Sequence, residues 1–189
     1  MSNALYLNYF KRFNEKIQLE AGLRSTFSSL QASFADTLSR DLLAISGTTI
    51  NSNNHIFSGN LKIIYYPNKS WKISSVTSKG FHSPNIDDMG KLFVKGDNIT
   101  IPNPALRPEY AYSQEISISK EIKNDLLFYG TAFYTQIEDA IIKDTIYLTE
   151  GFEEPKNYIW YENVLKYTFA NQNLGTAKIY GYTLGFEAR

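Results

Sequence analysis

Between Lys16 and Ser28 the residues alternate one for one: Ile17, Leu19, Ala21, Leu23 and Phe27 against Gln18, Glu20, Arg24, Thr26 and Ser28. A repeat of two is the period of a pleated strand, whose successive side chains point to opposite faces. The segment therefore predicts a strand with one apolar and one polar face. The pattern returns in Phe57, Leu61, Ile63 and Tyr65 against Ser58, Asn60 and Lys62, and in Tyr112, Ile116 and Ile118 against Ser113, Glu115, Ser117 and Ser119. It returns once more where Tyr180, Tyr182, Leu184 and Phe186 share one face and Gly181, Thr183, Gly185 and Glu187 the other. Weaker strand signals run from Ala4 to Phe13, Trp71 to Phe81 and Leu126 to Lys143, the last with a polar tail from Gln136 that outruns its apolar zone. The sum is about seven strands of roughly 10 residues or more, the length a tilted strand needs to cross a bilayer.

The connections narrow the choice of architecture. Three are tight, at Asn14 and Glu15, Pro67 to Ser70 and Ile122 to Asp125, each with turn-forming Asn, Pro, Asp or Lys. Three are long, at Ala35 to Asn54, His82 to Pro108 and Asp144 to Gly175. Short and long strictly alternate. An up-and-down membrane barrel sorts its connections this way, with short turns at one end and long loops at the other, whereas a soluble sandwich has no reason to do so. Aromatics gather beside the tight turns, at Phe10, Phe13, Tyr65, Tyr66, Trp71, Phe128 and Tyr129, where a membrane interface suits their apolar bodies and polar tips.

Composition excludes several classes. Nineteen basic and 19 acidic residues cancel, so no basic field exists to draw in nucleic acid. The chain has no cysteine, hence no disulfide, thiolate metal site or cysteine nucleophile. Apolar runs such as Leu42 to Ile45 are far shorter than the ~20 residues of a spanning helix. His82, Ser83 and Asp87 are residue types of a hydrolase triad, but they lie within one short stretch with nothing to orient base against nucleophile. Asp87, Asp88 and Asp97 match no calcium-loop spacing, and the two histidines, His55 and His82, form a pair without a third ligand. No catalytic residue, metal site or cofactor is expected.

Two elements in the long connection after Gly80 carry more specific information. In Gly80-Phe81-His82-Ser83-Pro84-Asn85-Ile86-Asp87-Asp88-Met89-Gly90, Ser83 can cap a helical turn, Pro84 suits its first position, the aspartates favour its positive end and Gly90 can close it. In Asn103-Pro104-Ala105-Leu106-Arg107-Pro108-Glu109, two prolines hold an extended segment and Glu109 begins the next strand. This pairing resembles TonB-dependent outer-membrane receptors, whose barrels often carry a Gly-Phe-Arg-Ser-Pro-type element at one strand end and an Asn-Pro-x-Leu-Lys-Pro-Glu-type element at the next strand start. Phe133 to Ile141 and Ile179 to Glu187 are similar to the strands that follow in that family. The likeness is densest from Phe57 to Glu187. It departs at His82, where the family usually has Arg, and at Arg107, where it often has Lys.

The resemblance implies an all-β, antiparallel up-and-down meander forming part of a large transmembrane β-barrel, with residues 1–189 as a partial barrel domain. Plugged outer-membrane transporters have roughly 22 strands, so the plug domain, the TonB-contacting segment and the remaining strands are expected outside this sequence. Any export signal is expected upstream of Met1, and Arg189 falls in mid-barrel. Residence in the outer membrane and capture of a scarce nutrient, such as a siderophore or other iron chelate, cobalamin or a glycan, are implied. Partners would be membrane lipid, the parent protein's plug and the small-molecule or glycan ligand, with TonB reached only through the missing segments. Ligand-contact candidates in the long loops are His55, His82, Asn85, Asp87, Asp88 and Arg107. Lumen-facing candidates are Glu20, Arg24, Lys62, Glu115 and Glu187. An isolated arc is expected to aggregate or need detergent, because its edges and apolar face lack partners. The other readings are a soluble β-sandwich module, which would hide Ile17, Leu19, Leu61 and Ile63 in a shared core, and a porin or adhesin barrel without a plug.

Overall fold

In a computed structural model, residues 1–33, 49–122, 125–149 and 153–188 are described. The predicted alternation becomes seven long strands: β1 (Ser2–Arg12), β2 (Ile17–Ser33), β3 (Thr49–Tyr65), β4 (Trp71–His82), β7 (Glu109–Ile122), β8 (Leu126–Thr145) and β10 (Val164–Ala188). Between β4 and β7 lie α1 (Ile86–Gly90), β5 (Phe93–Lys95) and β6 (Asn98–Thr100), and β9 (Tyr158–Tyr161) precedes β10. The seven pair antiparallel in the order β1-β2-β3-β4-β7-β8-β10, as a meander requires, and curl into part of a barrel.

Register sets the two faces. Leu23 stands opposite Gly59 and Leu7, Ile63 opposite Leu19 and Ser75, and Ile118 opposite Ile73 and Gly130. Directly opposed residues share a face, so each strand contributes its apolar set to one continuous outer surface. Ile17 is 38%, Leu61 44% and Ile63 45% exposed. A sandwich would have hidden them beneath a second sheet, so that reading is overturned. The inner face carries Gln18, Thr26, Ser52 and Ser74, all buried in the curl, beside Ile56 and Ile64. One outer aromatic row forms as expected from Tyr65, Trp71 and Phe128, whereas Phe10 and Tyr129 fall on the inner face because they sit one residue out of phase, opposite Glu20 and Gly185. The ring of Tyr129 covers Gly185, where any Cβ would collide with it. An aromatic laid over a strand glycine restores the side-chain contact that the glycine lacks.

The tight turns follow their chemistry. Asn14 Oδ1 accepts from the Lys16 and Ile17 amides at 2.8 and 2.9 Å, and Asn68 Oδ1 accepts from Ser70 N at 3.0 Å. The third turn lies partly outside the described residues, as does much of the first long connection. Two long connections are shorter than the sequence predicts. Strand β3 already begins at Thr49, so His55 lies within a strand and not in a loop. Strand β10 begins at Val164 and runs 25 residues, so the predicted loop up to Gly175 is largely strand. Both extensions lie beyond the apolar band: Thr49, Asn51 and Asn53 make the outer face of β3 polar there, while Ile50 and Ala170 are buried in small cores at the rim, so alternation no longer marks the strand.

The short elements add a feature that a plain meander lacks. After β4 the chain turns through α1, forms the β5–β6 hairpin, and β6 joins β10 in parallel at Asn98 to Tyr167 through Thr100 to Phe169. Because β10 pairs with β8 along its other edge, the connection passes across β7 and β8 like a strap. Two small cores form there: Ile50, Met89 and Leu106, and Ile99, Ile101, Leu148, Ile159 and Ala170.

A candidate ligand-binding rim

The long-connection end is held by a polar network centred on the strap. Asn85, and not Ser83, caps α1: its Oδ1 accepts from the Asp87 and Asp88 amides at 2.7 and 3.0 Å, while Asp88 Oδ2 accepts from Asn85 N at 2.9 Å. This reciprocal capping box satisfies three otherwise free donors of the turn, more than a serine two residues earlier can reach. Asp87 and Asp88 do lie in the first turn, and Gly90 is its last residue. His82 Nε2 is 3.7 Å from Asp88 and its Nδ1 3.3 Å from Glu109, so His82 ties the end of β4 to the helix and to β7.

The far end of the strap is fixed to β8 and β10. Asn103 Nδ2 donates to Asn171 O at 2.8 Å, and Asn171 Nδ2 donates to Asp88 O at 2.9 Å. Arg107 N donates to Asn173 Oδ1 at 2.8 Å, and Asn173 Nδ2 donates to Arg107 O and Asp139 O at 2.9 and 2.8 Å. The Arg107 guanidinium meets Asp139 Oδ1 at 3.1 Å. Asp139 has φ 54° within a break in the β8–β10 register. A left-handed bulge residue re-aims its side chain, here toward Arg107. Glu109 Oε2 accepts from Ile141 N at 2.9 Å and completes the ring.

The predicted residues thus divide. His82, Asn85, Asp88 and Arg107 come together as fasteners of the strap, with Asp87 exposed on its helix. His55 is elsewhere: its ring stacks on Phe27 at 3.9 Å on the outer face and its Nε2 lies 2.8 Å from Ser25 Oγ. His82 is on the inner face, so the two histidines do not meet. Glu20, Arg24, Lys62, Glu115 and Glu187 all occupy inner-face positions. Glu20 and Lys62 pair at 3.4 Å, Arg24 Nε donates to Thr26 Oγ1 at 3.2 Å, and Glu115 accepts from Ser117 Oγ at 3.2 Å. Sequence reasoning missed Asn171, Asn173 and Asp139 as fasteners, and it missed the aromatic surface beside them. Trp160, on the β9–β10 hairpin, is 70% exposed, with Tyr147 and Tyr167 also exposed nearby in the chain. The aromatic run Tyr158-Ile159-Trp160-Tyr161 within the predicted long connection was the available signal.

A seven-strand arc with a polar inner face, an apolar outer face and a fastened strap at one rim is specific enough to compare. The family model for TonB dependent receptor-like β-barrels matches residues 1–189. The chain belongs to the TonB-dependent receptor β-barrel family. Solved receptors share the fold. HasR, the hemophore receptor of Serratia marcescens solved with its hemophore HasA and heme, aligns at TM-score 0.72 and 17% identity over 99% of this chain and 32% of its own. The FrpB iron transporter of Neisseria meningitidis aligns at 0.64 and 19% over 100% of this chain and 23% of its own. FyuA, the ferric yersiniabactin uptake receptor of Yersinia pestis, gives 0.61 and 15% over 100% and 24%. The chain therefore spans between 23% and 32% of the length of these TonB-dependent receptors. No curated protein sequence matches it significantly. The family is one of transport receptors and not of enzymes, and it resides in outer membranes.

Proposed function

We propose that this chain is a wall segment of an outer-membrane receptor that captures a scarce nutrient at its outer rim and passes it inward through the barrel. An iron chelate, heme included, is the favoured nutrient, with cobalamin and a glycan as the other classes. In this reading the seven long strands β1, β2, β3, β4, β7, β8 and β10 cross the membrane with the tight turns in the periplasm and the strap outside. The parent's plug would contact the inner-face residues Glu20, Arg24, Lys62, Glu115 and Glu187. No bond is made or broken, and inward passage would depend on TonB acting through segments outside this chain.

The observation that carries the reading is the contrast between the fastened strap and the bare Trp160 beside it. An indole held on a hairpin by pairing with β10, yet open to solvent, is a rigid platform on which a planar or sugar ligand gains contact at little entropic cost. The test is uptake by cells expressing the receptor. Trp160→Ala should weaken binding of the true nutrient by roughly 1 to 3 kcal/mol of hot-spot energy while leaving folding intact. Unchanged uptake of every iron chelate, cobalamin and glycan tried, by a variant that reaches the outer membrane normally, would remove Trp160 from the site.

A further inference from the structure

On the outer face, β8 presents Phe128, Gly130, Ala132 and Tyr134 in succession, two small residues between two aromatics. Register places Ile118 and Leu184 on either side of Gly130, and Ile116 and Tyr182 on either side of Ala132. The result is a groove of about 730 Å³ with a floor of small residues and apolar walls. Along β8 it runs from Phe128 to Ala132, roughly 14 Å at about 3.4 Å per residue. Its lower end, beside the tight turn, has a different chemistry. Lys120 stands opposite Phe128, and its Nζ lies 4.9 Å from the centroid of the Trp71 ring.

We propose that this groove is a phospholipid site, with an anionic headgroup phosphate on Lys120 and one acyl chain along Gly130 and Ala132. The inference rests on the membrane placement proposed above, which sets Lys120 at the periplasmic leaflet, the leaflet built of glycerophospholipid. A flat outer face lets acyl chains slide past, whereas walls on both sides of a small-residue floor hold one chain in place. The ammonium at the end of the groove fixes which end is the head. A second copy of the protein docked here would bury Lys120 without a partner, so charge favours the lipid. The wall residue Leu184 leans over Gly130, where a Cβ would come within 2.9 Å of its Cδ2, so only a glycine fits beneath that wall.

Native mass spectrometry of the receptor carrying this chain, extracted in mild detergent from isolated outer membranes, tests the assignment. Wild type should retain one anionic glycerophospholipid. Lys120→Gln should lower its retention relative to a zwitterionic lipid roughly fivefold, the weight of one Lys near an anionic headgroup. Ala132→Leu should abolish the adduct by filling the floor, with unchanged circular dichroism. Absence of an adduct from wild type, equal retention by Lys120→Gln, or a second copy in place of the lipid would overturn the proposal. Recovery of the protein from the outer-membrane fraction is scored separately, so failure of the membrane placement is distinguishable from failure of the lipid site.

Discussion

The wall and the strap are built for different solvents. In the wall, large apolar side chains such as Leu5, Leu7, Leu184 and Phe186 are exposed, and order comes from backbone ladders between neighbouring strands, broken in the β8–β10 pair only by the bulge near Asp139. In the strap the pattern reverses: Met89, Ile99 and Ile101 are fully buried and polar side chains bond backbone groups far away in sequence. In the membrane placement proposed above, lipid covers the wall's apolar face and the ladders pair its backbone groups internally, as hydrocarbon requires. The strap carries its own miniature cores because water surrounds it. One chain thus obeys membrane rules at one end and soluble-protein rules at the other, and the change falls where alternation fades, near Gln136 on β8 and Asn54 on β3.

Substitutions can break this comparison, and the largest effect belongs in the wall. Leu184→Arg should cost about 2 to 4 kcal/mol if the residue faces the bilayer midplane. Urea unfolding in lipid vesicles measures it, and Trp160→Arg at the wet rim is the matched control expected to change stability little. Next comes the strap core. Met89→Ala should cost roughly 2 to 5 kcal/mol locally, as buried large-to-small changes do. Because the strap joins the wall ladders only through the three-residue β6–β10 pairing, the expected readout is faster proteolysis within residues 83–108 with the barrel strands still protected. Uniform loss of protection would mean that strap and wall unfold as one unit.

Asn173→Ala sharpens the boundary further. It removes the three bonds joining Asn173 to Arg107 and Asp139 and should cost about 1 to 3 kcal/mol, read as faster amide exchange at Arg107. The smallest effect is expected on the inner face. Lys62→Gln breaks its pair with Glu20, both partners being more than a third exposed, and should shift the unfolding free energy by no more than about 1 kcal/mol.

The sequence was legible where one physical demand dominated. Opposite faces meeting lipid and water force strict alternation, so the faces of Phe57 to Tyr65 and Tyr180 to Glu187 could be assigned without coordinates. The order of tight and long connections was legible for the same reason, since turn chemistry is local. What escaped was nonlocal or relieved of that demand. Thr49 to Asn54 extend β3 with polar residues on the outer face, so His55 read as loop. The parallel docking of β6 on β10 joins residues nearly seventy positions apart and leaves no periodic trace. The capping residue was misplaced by two because Ser83, Pro84 and Asn85 all suit a helix start, and only Asp88 closing back on Asn85 separates them. Arg107, read as a ligand contact, also pairs with Asp139, which sits in a bulge that alternation conceals.

The most direct test of the account is a cysteine scan of β10 in native outer membranes. The chain is cysteine-free, so each position from 179 to 187 can carry a single new thiol labelled with a fluorophore. Lipid-borne spin labels should quench positions 180, 182, 184 and 186, and water-soluble quenchers positions 181, 183, 185 and 187. Equal access of both quenchers to all positions, or the opposite phase, would contradict a lipid-facing wall.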